Sequence, residues 1–125
     1  MTTSNQISQD FKRSEFACRC GCGFDTVDVR LLDVVQAVRD HFGVPLDINS
    51  GCRCKAHNAT AGGGSRSQHL LGRAADIDAS SGTLNPDRVA EWVMENFPHI
   101  SVGRYNTFTH VDSRTNDPAF WDERT

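Results

Sequence analysis

The sequence predicts an α+β fold, a small antiparallel sheet with flanking helices. Three observations lead there. Apolar residues recur every three or four positions in two separate segments, short alternating runs stand between and after those segments, and no regular β-α-β rhythm joins the two. The 125 residues fit one domain, residues 1–125. A chain of this size buries roughly two-thirds of the surface it exposes when unfolded.

Residues 1–15 read as a polar lead-in with weak structure, and FACRCGCGF (16–24) as a tight irregular loop. A helix follows, with Val27, Leu31, Val34, Val35, Val38 and Phe42 as its apolar stripe. Asp25 or Thr26 can cap its start, since a short oxygen-bearing side chain accepts from the unpaired first-turn N–H groups. Gly43 and Pro45 mark its end. Leu46 and Ile48 alternate in PLDINSG (45–51), which reads as a short strand. Residues 52–75 show little periodicity, and Gly62 to Gly64 would be costly inside an element, so a long loop is expected. ADIDA (75–79) reads as a strand. Asn85-Pro86-Asp87 opens a second helix, whose apolar side is Val89, Trp92, Val93 and Phe97. VGRYNTFTHVDS (102–113) alternates as a hairpin or strand pair around Asn106, and Phe120 and Trp121 give the tail a docking point.

Composition narrows the function. With 13 Lys and Arg against 16 Asp and Glu the net charge is −3, which argues against a dedicated nucleic-acid binder. No apolar run reaches the ~18 residues of a membrane span, and the polar first residues lack a signal peptide's apolar stretch. The expectation is a monomer made in the cytoplasm, with no membrane insertion, which reaches any outside target by a route other than a classical signal. Five cysteines form two groups: Cys18, Cys20 and Cys22, then Cys52 and Cys54. Their odd number and C-x-C spacing leave three readings open: reduced thiols, a disulfide joining the groups, or a second, thiolate-rich zinc site.

The stretch that carries chemistry is Ser67-Gln68-His69-Leu70-Leu71-Gly72-Arg73-Ala74-Ala75-Asp76. His69 falls on the loop and Asp76 on the following strand, with Gly72 permitting a sharp reversal between them. His110 lies far downstream in Phe108-Thr109-His110-Val111-Asp112, again on a strand. Two imidazoles and one carboxylate are a standard donor set for catalytic zinc, with the fourth position left for water. Zinc lowers the pKa of that water from near 15.7 to about 7. His41, near a helix C-terminus, suits the helix dipole, and His57 and His99 have no partner at ligand spacing.

SQHLLGRAADID resembles the S-x-H-x-x-G-x-A-x-D signature of the zinc D-Ala-D-Ala carboxypeptidases and related peptidoglycan peptidases, a family sharing its fold with the hedgehog signalling domain. FACRCGCG, LLDVVQAVRDHFGVPLDINSGCRC, HNATAGG and THVD resemble successive blocks of the compact phage and bacterial branch, over residues 16–114. The resemblance implies Zn2+ held by His69, Asp76 and His110. It implies a task for Arg53 too, which follows Ser50-Gly51-Cys52: donation to a developing oxyanion, or a grip on a substrate carboxylate. Ser67 and Gln68 are candidates for hydrogen bonds to the peptide. Many members carry Glu or Asp three residues before the last histidine as general base. Here that residue is Thr107, so a carboxylate must come from elsewhere. Asp112 and Asp78 each lie two residues from a ligand on a strand, and Asp112 is the favoured one. Its competing role is to accept from a ligand imidazole and fix its tautomer.

The implied activity is hydrolysis of peptide bonds in peptidoglycan stem peptides or crosslinks, by an endopeptidase or carboxypeptidase of the DD type, as a phage or prophage endolysin or a virion component. An L-Ala-D-Glu endopeptidase of the same family and a zinc-bearing wall-binding module without catalysis are the alternatives.

Overall fold

The computed structural model describes residues 5–79 and 84–125. Helix α1 spans Val29–Phe42, α2 Lys55–Thr60 and α3 Pro86–Asn96. Five strands form one sheet: β1 Leu46–Ser50, β2 Ala74–Ala79, β3 Ser101–Arg104, β4 Thr109–Asp112 and β5 Phe120–Asp122, in the order β1-β2-β4-β3-β5. The first four strands pair antiparallel. The tail pairs as well: β5 runs parallel to β3, which makes the sheet mixed.

Alternation along the strands separates a core face from a polar face. Ala75, Ile77, Val102 and Val111 join Leu31, Val34, Val35 and Val38 of α1 and Val89, Ala90 and Val93 of α3 in one buried cluster. Truncating the fully buried Leu31 to alanine would cost about 2–5 kcal/mol. Asp76, His110 and Asp112, at the intervening positions of β2 and β4, point away from those helices.

Several sequence expectations need correction. Helix α1 starts two residues beyond Val27. Neither Asp25 nor Thr26 caps it; Asp28 is the N-cap, and its carboxylate accepts from Ser113 Oγ at 2.6 Å instead of from the helix. The polar lead-in contributes to the core, because Phe11 is buried edge-to-face on Phe16. The first four residues of that lead-in lie outside the described residues. Residues 52–75 are not one loop: Cys54 caps α2, and Gln68–Leu71 forms a 3-10 turn. The hydrophobic pattern missed both because each is too short to show a stripe. The helix over 86–96, capped by Asn85 Oδ1 accepting from the Asp87 N–H at 2.8 Å, agrees with expectation.

Candidate functional site

Register brings the three candidate ligands together. Asp76 of β2 stands directly opposite His110 of β4, and Ala74 opposite Asp112. His69 arrives on the 3-10 turn, whose start is capped by Ser67 Oγ accepting from the His69 N–H at 3.3 Å. Gly72, at φ 67°, then reverses the chain into β2, a left-handed conformation that glycine adopts without steric cost. His69, Asp76 and His110 are all buried, and one donor atom from each lies within 4.8 Å of the others.

The ring nitrogens are sorted by their partners. His69 Nδ1 donates to the Gly51 carbonyl at 2.6 Å, so its Nε2 faces Asp76 Oδ1 at 3.4 Å as a lone pair. His110 Nε2 donates to Asp112 Oδ2 at 2.8 Å, and its Nδ1 lies 2.9 Å from the same Asp76 oxygen. A lone pair and a carboxylate oxygen repel, so this corner needs a cation between them, either a proton or a metal. Tetrahedral zinc with bonds near 2.0–2.1 Å sets donor atoms about 3.3 Å apart. The donor types and tautomers fit that ion, and each ligand ring has the outward acceptor such sites need.

The charges agree. Burial pushes the Asp76 carboxyl up, but its contacts with the His110 and His69 rings outweigh it and hold it far below the usual carboxylate range. Burial pushes His110 down, and the carboxylates of Asp112 and Asp76 reverse this, so its pKa rises. A proton on His110 thus occupies the electrostatic position a divalent ion would take.

Arg53 lies beside the ligands. Its Nη2 is 3.4 Å from Asp76 Oδ2, its Nε donates to Ser50 Oγ at 2.9 Å, and its Nη1 donates to Asn58 Oδ1 at 3.3 Å. An irregularity between Ile48 and Ser50 places Ser50 opposite Asp76, whereas regular pairing would set it opposite Ala75. This one-residue shift turns Ser50 to the polar face, where it meets Arg53. Asp112 is fully buried. Arg114 Nε donates to its Oδ1 at 2.8 Å and Arg114 Nη2 to its Oδ2 at 2.7 Å. Burial raises this carboxyl, but the bonds from Arg114 and His110 more than compensate and hold it well below the ordinary value.

The candidate ligands sit in a cleft of about 470 Å³ whose walls include Arg53, Gln68, Tyr105, Phe108, Arg114 and Trp121. Asp112 also borders it, whereas Asp78 is not among its lining residues. Gln68 Oε1 is buried and has no hydrogen-bond partner among the described residues. Trp121 packs on His110 with ring centroids 4.9 Å apart and donates from Nε1 to Tyr105 Oη at 2.9 Å. Its indole covers Gly103, where any Cβ would collide with the ring. Sequence reasoning missed Arg114, Asn58, Tyr105 and the site role of Trp121. A signal existed for Arg114, two residues beyond Asp112 in the same alternation, but none for the parallel pairing that delivers Trp121.

Two imidazoles and a carboxylate converge beside a guanidinium in a cleft on an α+β sheet, a group that could hold a metal ion. Residues 9–112 match the model of the peptidase M15 family, and the chain belongs to that family. It is therefore a peptidase, and its substrate is a peptide. No curated protein matches the chain. No helix among the described residues is long and apolar enough to cross a membrane.

Proposed function

We propose that this protein is a zinc-dependent endopeptidase of peptidoglycan, cutting DD-type crosslinks between stem peptides, with His69, Asp76 and His110 as the zinc ligands. The observation that carries the reading is the convergence of His69 Nε2, Asp76 Oδ1 and His110 Nδ1, with both outward ring nitrogens satisfied. Zinc held there supplies a Lewis acid and water acidified to about pKa 7.

The chain's own residues supply the rest. Arg53, steadied by Ser50 and Asn58, donates to the scissile carbonyl oxygen as negative charge develops on it. Gln68 Oε1 accepts from a substrate amide N–H, which gives its buried oxygen the partner it lacks. Ser67 holds His69 through the backbone and acts on the ligand more than on the peptide. Asp112 is a positioning residue: with Arg114 and His110 donating to its oxygens and its pKa held low, it is poorly suited to take a proton. It serves instead to fix the tautomer of His110. Tyr105, Phe108 and Trp121 form an aromatic wall that excludes water from one side of the substrate.

We assign the enzyme to phage or prophage lysis, on the resemblance of its sequence blocks to that branch. Expression in a bacterial host should cause lysis only when the inner membrane is also permeabilised. The test of the reaction is mass analysis of products from defined crosslinked muropeptides, with zinc and with chelator. Zinc-dependent release of D-Ala crosslinks is expected. Cleavage at L-Ala-D-Glu would move the bond, and no cleavage by metal-replete protein would make the domain a zinc-bearing binding module.

A further inference from the structure

Four of the five cysteines meet at one point. The Sγ atoms of Cys18, Cys20, Cys22 and Cys54 all lie within 4.8 Å of one another. Cys18 and Cys20 are 3.5 Å apart, and Cys20 and Cys54 3.6 Å. In an extended chain, side chains two residues apart stand roughly 6.5–7 Å from each other. The loop must therefore curl. Gly21 and Gly23, at φ 79° and 93°, turn the backbone so that alternate cysteines face inward. Cys54 comes from the other segment, 34 residues beyond Cys20.

These separations discriminate among the three readings left open by the sequence. A disulfide brings two sulfurs to about 2.05 Å and gives no reason for four to converge. Unrelated buried thiols have no reason to cluster, and Cys20 and Cys22 are exposed. Zinc–sulfur bonds of about 2.3 Å arranged tetrahedrally set the sulfurs about 3.8 Å apart, close to what is seen. Backbone N–H groups support the sulfurs: the Cys54 N–H donates to Cys18 Sγ and the His57 N–H to Cys54 Sγ, each at 3.4 Å. Cys52 explains the odd number. It is buried, and its Sγ donates to the Phe24 carbonyl at 2.9 Å, apart from the cluster.

We infer that Cys18, Cys20, Cys22 and Cys54 form a second metal site, a structural tetrathiolate centre for zinc, separate from the cleft. Each thiol loses its proton to solvent on binding. The ion clamps the loop 16–24 to the start of α2. Cys54 directly follows Arg53 and caps α2, the helix whose Asn58 accepts from Arg53. The site thereby fixes the rim of the cleft while taking no part in the chemistry.

Metal counting on the purified full chain tests this. Wild-type protein should carry two zinc ions, the His69→Ala/His110→Ala variant one, Cys20→Ser/Cys22→Ser one, and Cys52→Ser two. Cobalt loaded into the double histidine variant should give the intense thiolate-to-cobalt charge-transfer absorption of a tetrathiolate site. If the cysteine variant fails to fold, stepwise organomercurial titration of wild-type thiols should release one zinc per chain and leave the other. The proposal is overturned by a single zinc that the histidine variant loses, by alkylation of the thiols without metal release, by an intact mass showing a disulfide, or by iron in the cluster.

Discussion

The two clusters of candidate metal ligands in this protein rest on opposite kinds of backbone. In the cleft, Asp76 and His110 sit on paired strands whose register sets them opposite each other, and all three ligands are buried. In the cysteine cluster, three ligands lie on a loop bent at Gly21 and Gly23, and two of the four are exposed. Strand pairing sets Asp76 opposite His110 before any ion arrives. The second rests on separate loop hydrogen bonds, such as the Cys18 N–H to the Phe24 carbonyl at 2.8 Å and the Gly21 N–H to the Cys18 carbonyl at 3.2 Å, to which an ion would add a further restraint. A rigid, preformed site suits chemistry, and an ion-dependent loop suits a structural staple.

Variants can separate the two. The largest effect is expected from His69→Ala or His110→Ala: activity falls to that of the chelated protein, and the cysteine cluster keeps its metal. Arg53→Ala should lower kcat by about 10²–10³ with metal content unchanged, the range seen when one oxyanion donor is removed. Full activity in that variant would leave Arg53 a structural partner of Asp76. Asp112→Asn should weaken metal affinity or activity about 10–100-fold. A loss of about 10²–10⁴ in rate at unaltered metal affinity would instead mark Asp112 as the general base.

Acidification tests the cleft site in its own right. His110 has its pKa raised above the ordinary 6.5, so protons compete for the cleft site as pH falls. Its metal affinity should begin to decline above pH 6.5, measured by competition with a chromogenic chelator. An affinity flat from pH 8 to 6 would contradict the arrangement around His110. The smallest effect is expected far from both clusters: Asn85→Ala removes the cap of α3 and should cost about 1 kcal/mol in denaturant unfolding, with both metals retained.

The same contrast governs how much could be read from the sequence. Strands β1 to β4 and helices α1 and α3 were legible because burial of one face imposes a period on apolar residues, as in Val34, Val35 and Val38 or Val89 and Val93. The convergence of His69, Asp76 and His110 was legible because Asp76 and His110 fall on those strands and His69 belongs to a recognisable motif. The shift before Ser50, the parallel pairing of β5 and the burial of Phe11 were not, since each depends on contacts between distant segments. The cysteines were undecided for a related reason: spacing along the chain says nothing of how tightly a glycine-bent loop curls.

Anomalous diffraction at the zinc edge from crystals of the holoprotein tests the central claim most directly. A peak should lie between His69 Nε2, Asp76 Oδ1 and His110 Nδ1, at zinc-ligand distances from all three. Ordered zinc elsewhere in the crystal, with these three side chains turned to other partners, would contradict it.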